Sequence, residues 1–311
     1  MSNEILREAD GVEIAVLADN YTDILMMQGT DRVRRLMIPP PQAPLAEHGL
    51  SCLVTVRSGP ETQCVLMDAG VTPACLLHNA RLLQVNLDAI GEIVLSHGHF
   101  DHFGGLVPLL KRLKRKTPVT VHPDAFLDRR MNIPLIGRPT GIPRLDERAL
   151  VEAGAVPGKS RDPVLLASDL LLATGEIGRT TQFEKGFPWA EANIGGTWVV
   201  DPFRDDQALI IKLRNKGLVV LSGCAHAGII NTVQYARKIT QTDRVHAVLG
   251  GFHLTGPLFD PVIPPTIASM KEIGPDLIVP MHCTGWKAIT MFAREMPEQF
   301  VLNTVGTTYT L

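Results

Sequence analysis

The sequence predicts an α/β protein in which two packed β-sheets carry helices on their outer faces. The apolar runs are short, rich in β-branched residues and mostly bounded by Gly, Pro, Asp or Asn, as strands are. Strand pairs come first and strands alternating with helical patterns follow, and this order occurs in both halves of the 311-residue chain. A chain of this length can bury a substantial core, and α/β folds of roughly 200 to 300 residues often form one domain.

Each predicted element follows from its local pattern. Strand-length runs occupy residues 12–17, 52–56, 64–67, 93–95, 119–121, 209–213, 218–221, 245–249 and 277–279. Helical patterns occupy residues 103–116, 231–240, 265–273 and 286–294. The first of these helices places Leu106, Leu109, Leu110 and Leu113 on one face and collects basic residues at its C-terminal end, which suits the helix dipole. Residues 124–205 lack clear periodicity, so we expect one domain over residues 1–311 with 124–205 as an insertion covering the active-site face.

Composition excludes several classes of protein. Lys and Arg number 30 against 32 Asp and Glu, so a general nucleic-acid binder with a broad basic field is not expected. No window of about 18 residues is uninterruptedly apolar, and the N-terminal residues lack the apolar core of a signal peptide. The five cysteines are widely spaced and contain no Cys-x-x-Cys pair. We therefore expect reduced thiols in a cytoplasmic protein without a membrane partner.

The most informative segment is Ser-His-Gly-His-Phe-Asp-His-Phe-Gly-Gly at residues 96–105. It brings His97, His99, Asp101 and His102 within six residues, directly after the predicted strand at 93–95. Borderline-soft divalent metals prefer imidazole nitrogen together with carboxylate oxygen. A tight turn after a strand can direct His97 and His99 at one metal, and Asp101 and His102 at a neighbouring one. The sequence therefore predicts a site for one or two divalent ions.

Two later strands end in similar residues. The predicted strand at 218–221 is followed by Ser-Gly-Cys-Ala-His, which contains Cys224 and His226. The strand at 277–279 is followed by Pro-Met-His-Cys-Thr-Gly, which contains His282 just past the strand. Open α/β sheets place their sites at the carboxyl ends of strands. Together with the cluster at 97–102, this position predicts that His226 and His282 bind metal.

The motif His-x-His-x-Asp-His followed by Gly-Gly resembles the signature of the metallo-β-lactamase superfamily, and the resemblance covers most of the chain. It implies a four-layer αββα sandwich. Leu-Met-Asp-Ala-Gly at 66–70 looks like the strand–Asp–x–Gly element that precedes this signature. The resemblance gives Asp68 a supporting role, because metal-bound histidines usually donate their second ring N–H to an acceptor. A metal ligand and an ordinary turn residue at the strand end are the alternatives for Asp68. In the superfamily's order, His226 matches the third metal-binding histidine and His282 the last.

One position departs from the superfamily pattern. Most members place a bridging aspartate, or a cysteine, at the end of a strand between those two histidines. Here the strand at 245–249 ends in Gly-Gly-Phe-His without a carboxylate. Three interpretations stay open: His253 takes that place, the second metal binds weakly, or the second metal is absent. His253 could also be a general acid, an oxyanion partner or a structural residue, and Cys224 is a metal ligand, a supporting thiol or a bystander.

Several segments are similar to a narrower group, labelled dihydropterin-(ribofuranosyl)aminobenzene-phosphate synthase-like metal-dependent hydrolases. They occupy residues 17–20, 46–51, 174–177, 222–226, 250–253 and 282–285. The resemblance implies a ring-bearing or phosphorylated substrate, such as a pterin- or ribose-phosphate-like compound, and makes His48 a candidate pocket residue. Arg179, Lys185 and Lys287 are candidate anion contacts, with solvated surface charges as the alternative. The remaining histidines have no spacing partner and are interpreted as structural or exposed; they are His78, His122 and His246.

These features predict a metal-dependent hydrolase, or a transferase, in which a metal-activated water attacks an ester, lactone or phosphoester. One ion would be held by His97, His99 and His226, and a second by Asp101, His102 and His282. Asp101 or His253 would move the proton. Zinc is the expected metal, with iron or manganese as alternatives.

Two other functional classes are alternatives. The same scaffold houses iron-dependent oxidoreductases and dioxygenases, although the di-iron reductases normally carry a flavin-binding domain for which this chain has no room. Nucleases of the superfamily usually add a large domain and a basic surface, which the charge balance does not favour. We therefore expect a small-molecule substrate and no nucleic-acid partner, and a homo-oligomer stays open.

Overall fold

The computed structural model describes residues 6–311. The strands are β1 (Glu8–Ala9), β2 (Gly11–Ala18), β3 (Val33–Arg34), β4 (Ser51–Ser58), β5 (Glu61–Met67), β6 (Glu92–Val94), β7 (Thr117–Val121), β8 (Arg129–Met131), β9 (Thr140–Gly141), β10 (Ala155–Lys159), β11 (Val164–Leu166), β12 (Leu171–Ala173), β13 (Ala190–Ile194), β14 (Thr197–Val200), β15 (Ala208–Leu213), β16 (Gly217–Ser222), β17 (Val245–Gly251), β18 (Leu277–Met281) and β19 (Thr308–Thr310). The helices are α1 (Pro73–Leu82), α2 (Phe100–Phe103), α3 (Leu106–Leu113), α4 (Glu147–Glu152), α5 (Ile229–Thr240), α6 (Ile263–Ile273) and α7 (Trp286–Glu295).

These strands form two large sheets and one small sheet. The first large sheet has the order β10-β7-β6-β5-β4-β2-β19-β3. The second has the order β11-β12-β15-β16-β17-β18, and β1 also pairs with β15. The small sheet has the order β14-β13-β8-β9. Every strand predicted from the sequence lies in one of the two large sheets, because these runs carry the apolar side chains that a buried sheet needs.

The core has the four layers that the resemblance implied. One apolar cluster lies between the two large sheets and includes Val54 and Met67 from the first sheet and Leu209, Leu221 and Val279 from the second. A second cluster joins the outer face of the second sheet to α5, α6 and α7. A third joins the outer face of the first sheet to α1, α3 and α4. Each sheet is therefore buried on both faces, and the order of layers is αββα.

The predicted helices form with small shifts in their ends. The helix expected at 103–116 is α3, which is separated from α2 by two residues and ends at Leu113 before Lys114, whose backbone is left-handed. All four leucines of its predicted apolar face are buried. The sequence patterns did not indicate α1, although Thr72 accepts a hydrogen bond from the Cys75 N–H and Pro73 opens the helix, as expected for a capped N-terminus.

The stretch 124–205 is more closely joined to the core than the sequence suggested. Three of its strands belong to the large sheets, since β10 pairs with β7, and β11 pairs with β12, which pairs with β15. The small sheet comes from the parts before and after them. The division into one domain with a covering insertion stays a prediction. No helix among residues 6–311 is long and apolar enough to cross a membrane.

The parallel strands bring distant parts of the chain to one edge. β5, β6 and β7 run parallel in the first sheet, and β16, β17 and β18 run parallel in the second. The residues that follow β5, β6, β16, β17 and β18 therefore leave the sheets at their carboxyl ends. This is where the sequence places Asp68, His97, His226, His253 and His282.

The core between the sheets should be sensitive to lost volume. Leu221 is fully buried there, so Leu221→Ala is expected to lower the free energy of unfolding by about 2–5 kcal/mol. Leu135 is 95% exposed, and Leu135→Ala should change it by less than about 0.5 kcal/mol. Urea denaturation followed by circular dichroism measures both variants. Equal effects would contradict the assigned core.

Candidate metal centre

Three histidines from the two sheets face one another at this edge. The Nε2 atoms of His97 and His226 are 3.2 Å apart, and both side chains are buried. The His99 ring centroid is 4.5 Å from that of His97 and 4.9 Å from that of His226. Each of the three offers a nitrogen within 4.8 Å of the other two. The structure thus brings together the residues predicted to hold one ion.

A second group surrounds the Asp101 carboxylate. Its Oδ2 is 3.5 Å from His282 Nε2 and 3.8 Å from His102 Nε2. His48 Nε2 is also 3.8 Å from this oxygen, and its side chain is 64% exposed. Asp101 and His102 lie on the short helix α2, which begins at Phe100 after the N-cap residue His99, and both are buried. The residues predicted for the second ion are therefore adjacent, and His48 stands on their open side.

The two groups are joined by a buried carboxylate. Asp68 follows β5 and is fully buried. Its Oδ1 accepts the Ser96 backbone N–H at 2.7 Å, and its Oδ2 accepts the Ser96 hydroxyl at 2.7 Å. The same Oδ2 is 2.6 Å from His102 Nδ1. Because Nδ1 of His102 contacts Asp68, its Nε2 is directed at the other candidate ligands. Asp68 therefore fixes the orientation of this ring.

The turn between His97 and His99 is fixed by a buried ion network. The Gly98 N–H donates to Asp205 Oδ2 at 2.8 Å, and a Cβ at Gly98 would collide with the Ala125 carbonyl. Arg129 donates to Asp205 at 2.7 Å and to Asp201 at 2.6 Å. The roles of Arg129, Asp201 and Asp205 could not be predicted from the sequence, because ion pairs between distant residues leave no spacing signal.

The backbone of His282 is held in a similar way. Asp19 is buried and accepts the His282 N–H at 2.8 Å, while the Asn20 amide donates to the His282 carbonyl at 2.7 Å. Asn303 completes the contact by donating to Asp19 at 2.7 Å. Asp19 and Asn20 lie in a segment that carried the family resemblance, but the sequence assigned them no role. Their position directly after β2 was the available signal.

Several residues of this edge have left-handed backbones. The φ angles are +61° at Asp68, +54° at Ala225, +46° at His253 and +52° at His282. Non-glycine residues adopt such angles rarely, and they concentrate at functional sites where the surrounding structure enforces them. Here all four lie within three residues after a strand, at the edge where the candidate ligands cluster.

Burial decides the charge of most of these histidines. It lowers the pKa of His97 and His226 well below the usual range and that of His99 to about 3. These rings are therefore neutral at neutral pH and keep a lone pair, as metal ligands must. Burial alone would also lower the pKa of His102, but the Asp68 and Asp101 carboxylates raise it to about 9, so a metal that binds this ring must displace its Nε2 proton.

Two buried thiols lie inside the cluster. Cys224 Sγ is 3.2 Å from His102 Nε2. It also lies within 4.8 Å of a ring nitrogen of each of His97, His226 and His282. Cys283 lies beside it, and its thiol contacts the Cys224 carbonyl at 3.5 Å. Its neighbour His282 was singled out from the sequence, whereas Cys283 itself was not. His253 is half-buried, and its ring centroid is 4.2 Å from that of His226.

The remaining candidates lie outside the cluster. Arg179 donates to the carbonyls of Pro202 and His226, so it braces the His226 loop. Lys287 is exposed and pairs with Asp260 at 2.7 Å. Lys185 is exposed at the rim of a cavity beside His226 and His253. The three other histidines bond to groups away from the centre: His78 to the Ala43 carbonyl, His122 to Glu176 and His246 to Asp276.

The arrangement fits a metal ion. Neither ring nitrogen of the buried His282 has a hydrogen-bond partner among residues 6–311, and an unsatisfied buried polar atom is costly. The donor set of imidazoles with one carboxylate and nearby thiols suits a borderline-soft divalent metal.

Comparisons with known proteins identify the family. A model of the metallo-beta-lactamase superfamily matches residues 49–180. Over 263 residues the chain is 34% identical to 7,8-dihydropterin-6-methyl-4-(beta-D-ribofuranosyl)-aminobenzene-5'-phosphate synthase from Methanocaldococcus jannaschii, covering 82% of this chain and 87% of that protein. The chain belongs to the metallo-β-lactamase superfamily.

Solved structures of this superfamily share the fold. Tm1679, described as a metal-dependent hydrolase of the beta-lactamase superfamily, superposes with a TM-score of 0.71 at 25% identity, covering 96% of this chain and 98% of that one. The metallo-beta-lactamase fold protein YhfI from Bacillus subtilis gives a TM-score of 0.51 at 12% identity, covering 97% and 100%. The αββα sandwich predicted from the sequence is confirmed. Superfamily members bind divalent metals, and the clustered ligand atoms agree with this property.

Removing the charge of Asp68 should weaken metal binding. Asp68→Asn is nearly isosteric but cannot accept both N–H groups and the hydroxyl as a carboxylate does, so metal affinity should fall about 10- to 100-fold. Competition with a chromophoric chelator measures this affinity. Asp162→Asn, at an exposed position, is the matched control and should leave it unchanged. Unaltered affinity in Asp68→Asn would refute the supporting role.

Proposed function

We propose that this protein is a metal-dependent hydrolase or group transferase that acts on an ester, lactone or phosphoester. The proposal rests on one observation, the two adjacent ligand groups at the strand ends. His97, His99 and His226 would hold one divalent ion, and Asp101, His102 and His282 a second. Bound divalent ions supply Lewis acidity and lower the pKa of a water toward about 7. Zinc suits the imidazole, carboxylate and thiol donors best.

Asp101 is suited to bind metal or to accept a proton. Burial by itself favours its neutral acid, but the neighbouring His102 and His282 rings hold the pKa of this carboxyl well below its usual range. Asp101 is therefore ionised at neutral pH. His253 stands on the other side, against His226, where it could protonate a leaving group, and His48 lines the open side near Asp101.

The comparisons support both reaction types and a substrate class. The relative from Methanocaldococcus jannaschii is named a synthase, and the similar solved structure is described as a hydrolase. The two types differ in whether water or another nucleophile attacks the same activated centre. The name of the relative contains a pterin, an aminobenzene and a phosphate group, which supports a ring-bearing or phosphorylated small molecule here. The free cysteines support a reducing, cytoplasmic environment.

Cys224 is proposed as a ligand of the second ion. A nitrogen and a sulfur that share one tetrahedral zinc lie roughly 3.5 Å apart, given Zn–N near 2.0–2.1 Å and Zn–S near 2.3 Å. The 3.2 Å between His102 Nε2 and Cys224 Sγ is close to that separation. Cys224 is also near His97 and His282, so it lies between the two ligand groups. It would supply the ligand that the strand end at 250–253, which has no carboxylate, does not offer.

Cobalt substitution tests Cys224. The cobalt-loaded protein should show a thiolate-to-metal charge-transfer absorption that Cys224→Ser abolishes, because only a coordinated sulfur gives this band. Cys64→Ser, at a partly buried position in β5, removes a thiol away from the site and should keep the band. A band that persists in Cys224→Ser and disappears in Cys283→Ser would assign the ligand to Cys283 instead.

Replacing both ligand groups tests the metal centre. His97→Ala with Asp101→Ala removes one ligand from each group, so bound metal and hydrolysis should both be lost. Atomic emission measures the metal, and circular dichroism checks that the variant is folded. Retained metal with full activity would refute the site.

Metal quantification combined with a substrate screen tests the reaction. Protein purified without added metal should contain zinc and hydrolyse one class among phosphoesters, lactones and nucleotide-like esters. Predominantly iron together with oxygen uptake would reject the hydrolase in favour of an iron-dependent oxidoreductase.

A further inference from the structure

A cavity of about 350 Å³ opens beside the metal-ligand groups. His226 and His253 form its inner wall, and their ring centroids are 4.2 Å apart. The other walls come from Gly228 at the start of α5, the segment 182–188 and the loop 252–262. A molecule in this cavity would therefore lie directly against the side of the centre that His226 contributes.

The cavity is lined mainly by apolar and aromatic side chains. Its lining includes Phe183, Phe252, Leu254, Phe259, Pro261 and Val262. The Phe259 ring is perpendicular to that of His253, at 89° and 4.8 Å between centroids. The Phe187 ring centroid is 5.6 Å from the centroid of each of these two rings. Aromatic rings prefer offset-stacked or edge-to-face contacts, so this corner favours another flat ring over a flexible alkyl chain.

The volume matches a substituted ring system. An apolar cavity of roughly 150 Å³ holds benzene, and sites for drug-sized ligands begin near 300 Å³. The observed volume therefore suits a bicyclic ring or a single ring with substituents.

The rim of the cavity carries a positive charge. The buried Glu184 carboxylate already accepts the Ile230 and Asn231 N–H groups at 2.8 and 2.9 Å, together with the Thr181 hydroxyl. It caps the N-terminus of α5, and its charge is offset by the helix dipole. Lys185 is exposed at the rim, and it takes part in none of the ion pairs between described residues. A ligand that enters the cavity therefore meets the positive charge of the Lys185 ammonium group.

We infer that this cavity binds a flat, uncharged ring of the substrate, with an anionic substituent held by Lys185. This inference rests on the proposed function, since it places the ring beside the metal-binding histidines. The anion can be a phosphate, a carboxylate or a sulfonate, because the ammonium recognises charge and not identity. His253 and Phe259 contact the ring, and Lys185 contacts the anion.

Binding of a probe that cannot be hydrolysed tests the cavity apart from catalysis. Calorimetry of the metal-loaded protein compares 1-naphthalenesulfonate with 1-butanesulfonate, which carries the same anion on a flexible chain. The naphthalene compound is expected to bind at least about 10-fold more tightly, because it fills the cavity and meets the aromatic walls. Equal affinities would overturn the inference.

Variants separate the ring contact from the charge contact. Phe259→Leu should weaken naphthalenesulfonate binding about 2- to 10-fold while changing butanesulfonate binding less. Lys185→Gln should weaken both sulfonates about 2- to 5-fold. Lys238→Gln removes an exposed lysine at the far end of α5 and is the charge control. If Lys185→Gln has no larger effect than Lys238→Gln, or Phe259→Leu has none, the assigned contacts are wrong.

The two proposals can fail independently. Selective ring binding in a protein that hydrolyses none of the screened esters would leave the cavity assignment intact and reject the hydrolase. Hydrolysis whose KM for aryl and alkyl esters is unaffected by Phe259→Leu and Lys185→Gln would support the hydrolase and reject the cavity assignment. The wild-type comparison of the two sulfonates keeps the inference testable even if Phe259→Leu does not fold.

Discussion

The candidate site depends on one buried carboxylate, that of Asp68, and on the hydrogen bonds that it accepts. It accepts both the N–H and the hydroxyl of Ser96 and lies 2.6 Å from His102, so a single side chain ties the end of β5 to the end of β6 and to α2. Burying a carboxylate is costly unless its oxygens are hydrogen-bonded. Here the cost is offset by three contacts, and the result is that the ligand-bearing turn has one orientation.

Similar bracing recurs around the other ligands. Asp205 holds the turn between His97 and His99, Asp19 holds the backbone of His282, and Arg179 holds the carbonyl of His226. The three candidate ligands His97, His226 and His282 lie within four residues after a strand, and each is fixed by a polar group from a different part of the chain. The strands set the positions of these side chains, while the polar contacts set their directions.

The fold and the clustering of the candidate ligand residues could be predicted because their signals are local. Strand-length apolar runs, the leucine face of α3 and the spacing of His97, His99, Asp101 and His102 are all visible within about twenty residues. Arg129, Asp205, Asp19 and Cys283 could not be found this way, since their roles arise from contacts across more than 50 residues of chain. The small sheet was also missed, because β8, β9 and β14 are short and partly exposed.

The two ligand groups draw on both ends of the sequence. Asp68 to His102 come from the first sheet, and Cys224 to His282 come from the second, so the centre is complete only when the sheets have packed together. A ligand that binds the native state alone stabilises it by about 2.7 kcal/mol at a hundredfold excess over its Kd. An ion bound across this edge would act as a clamp between the sheets, and the resistance of the whole protein to unfolding would then follow the availability of metal in its surroundings.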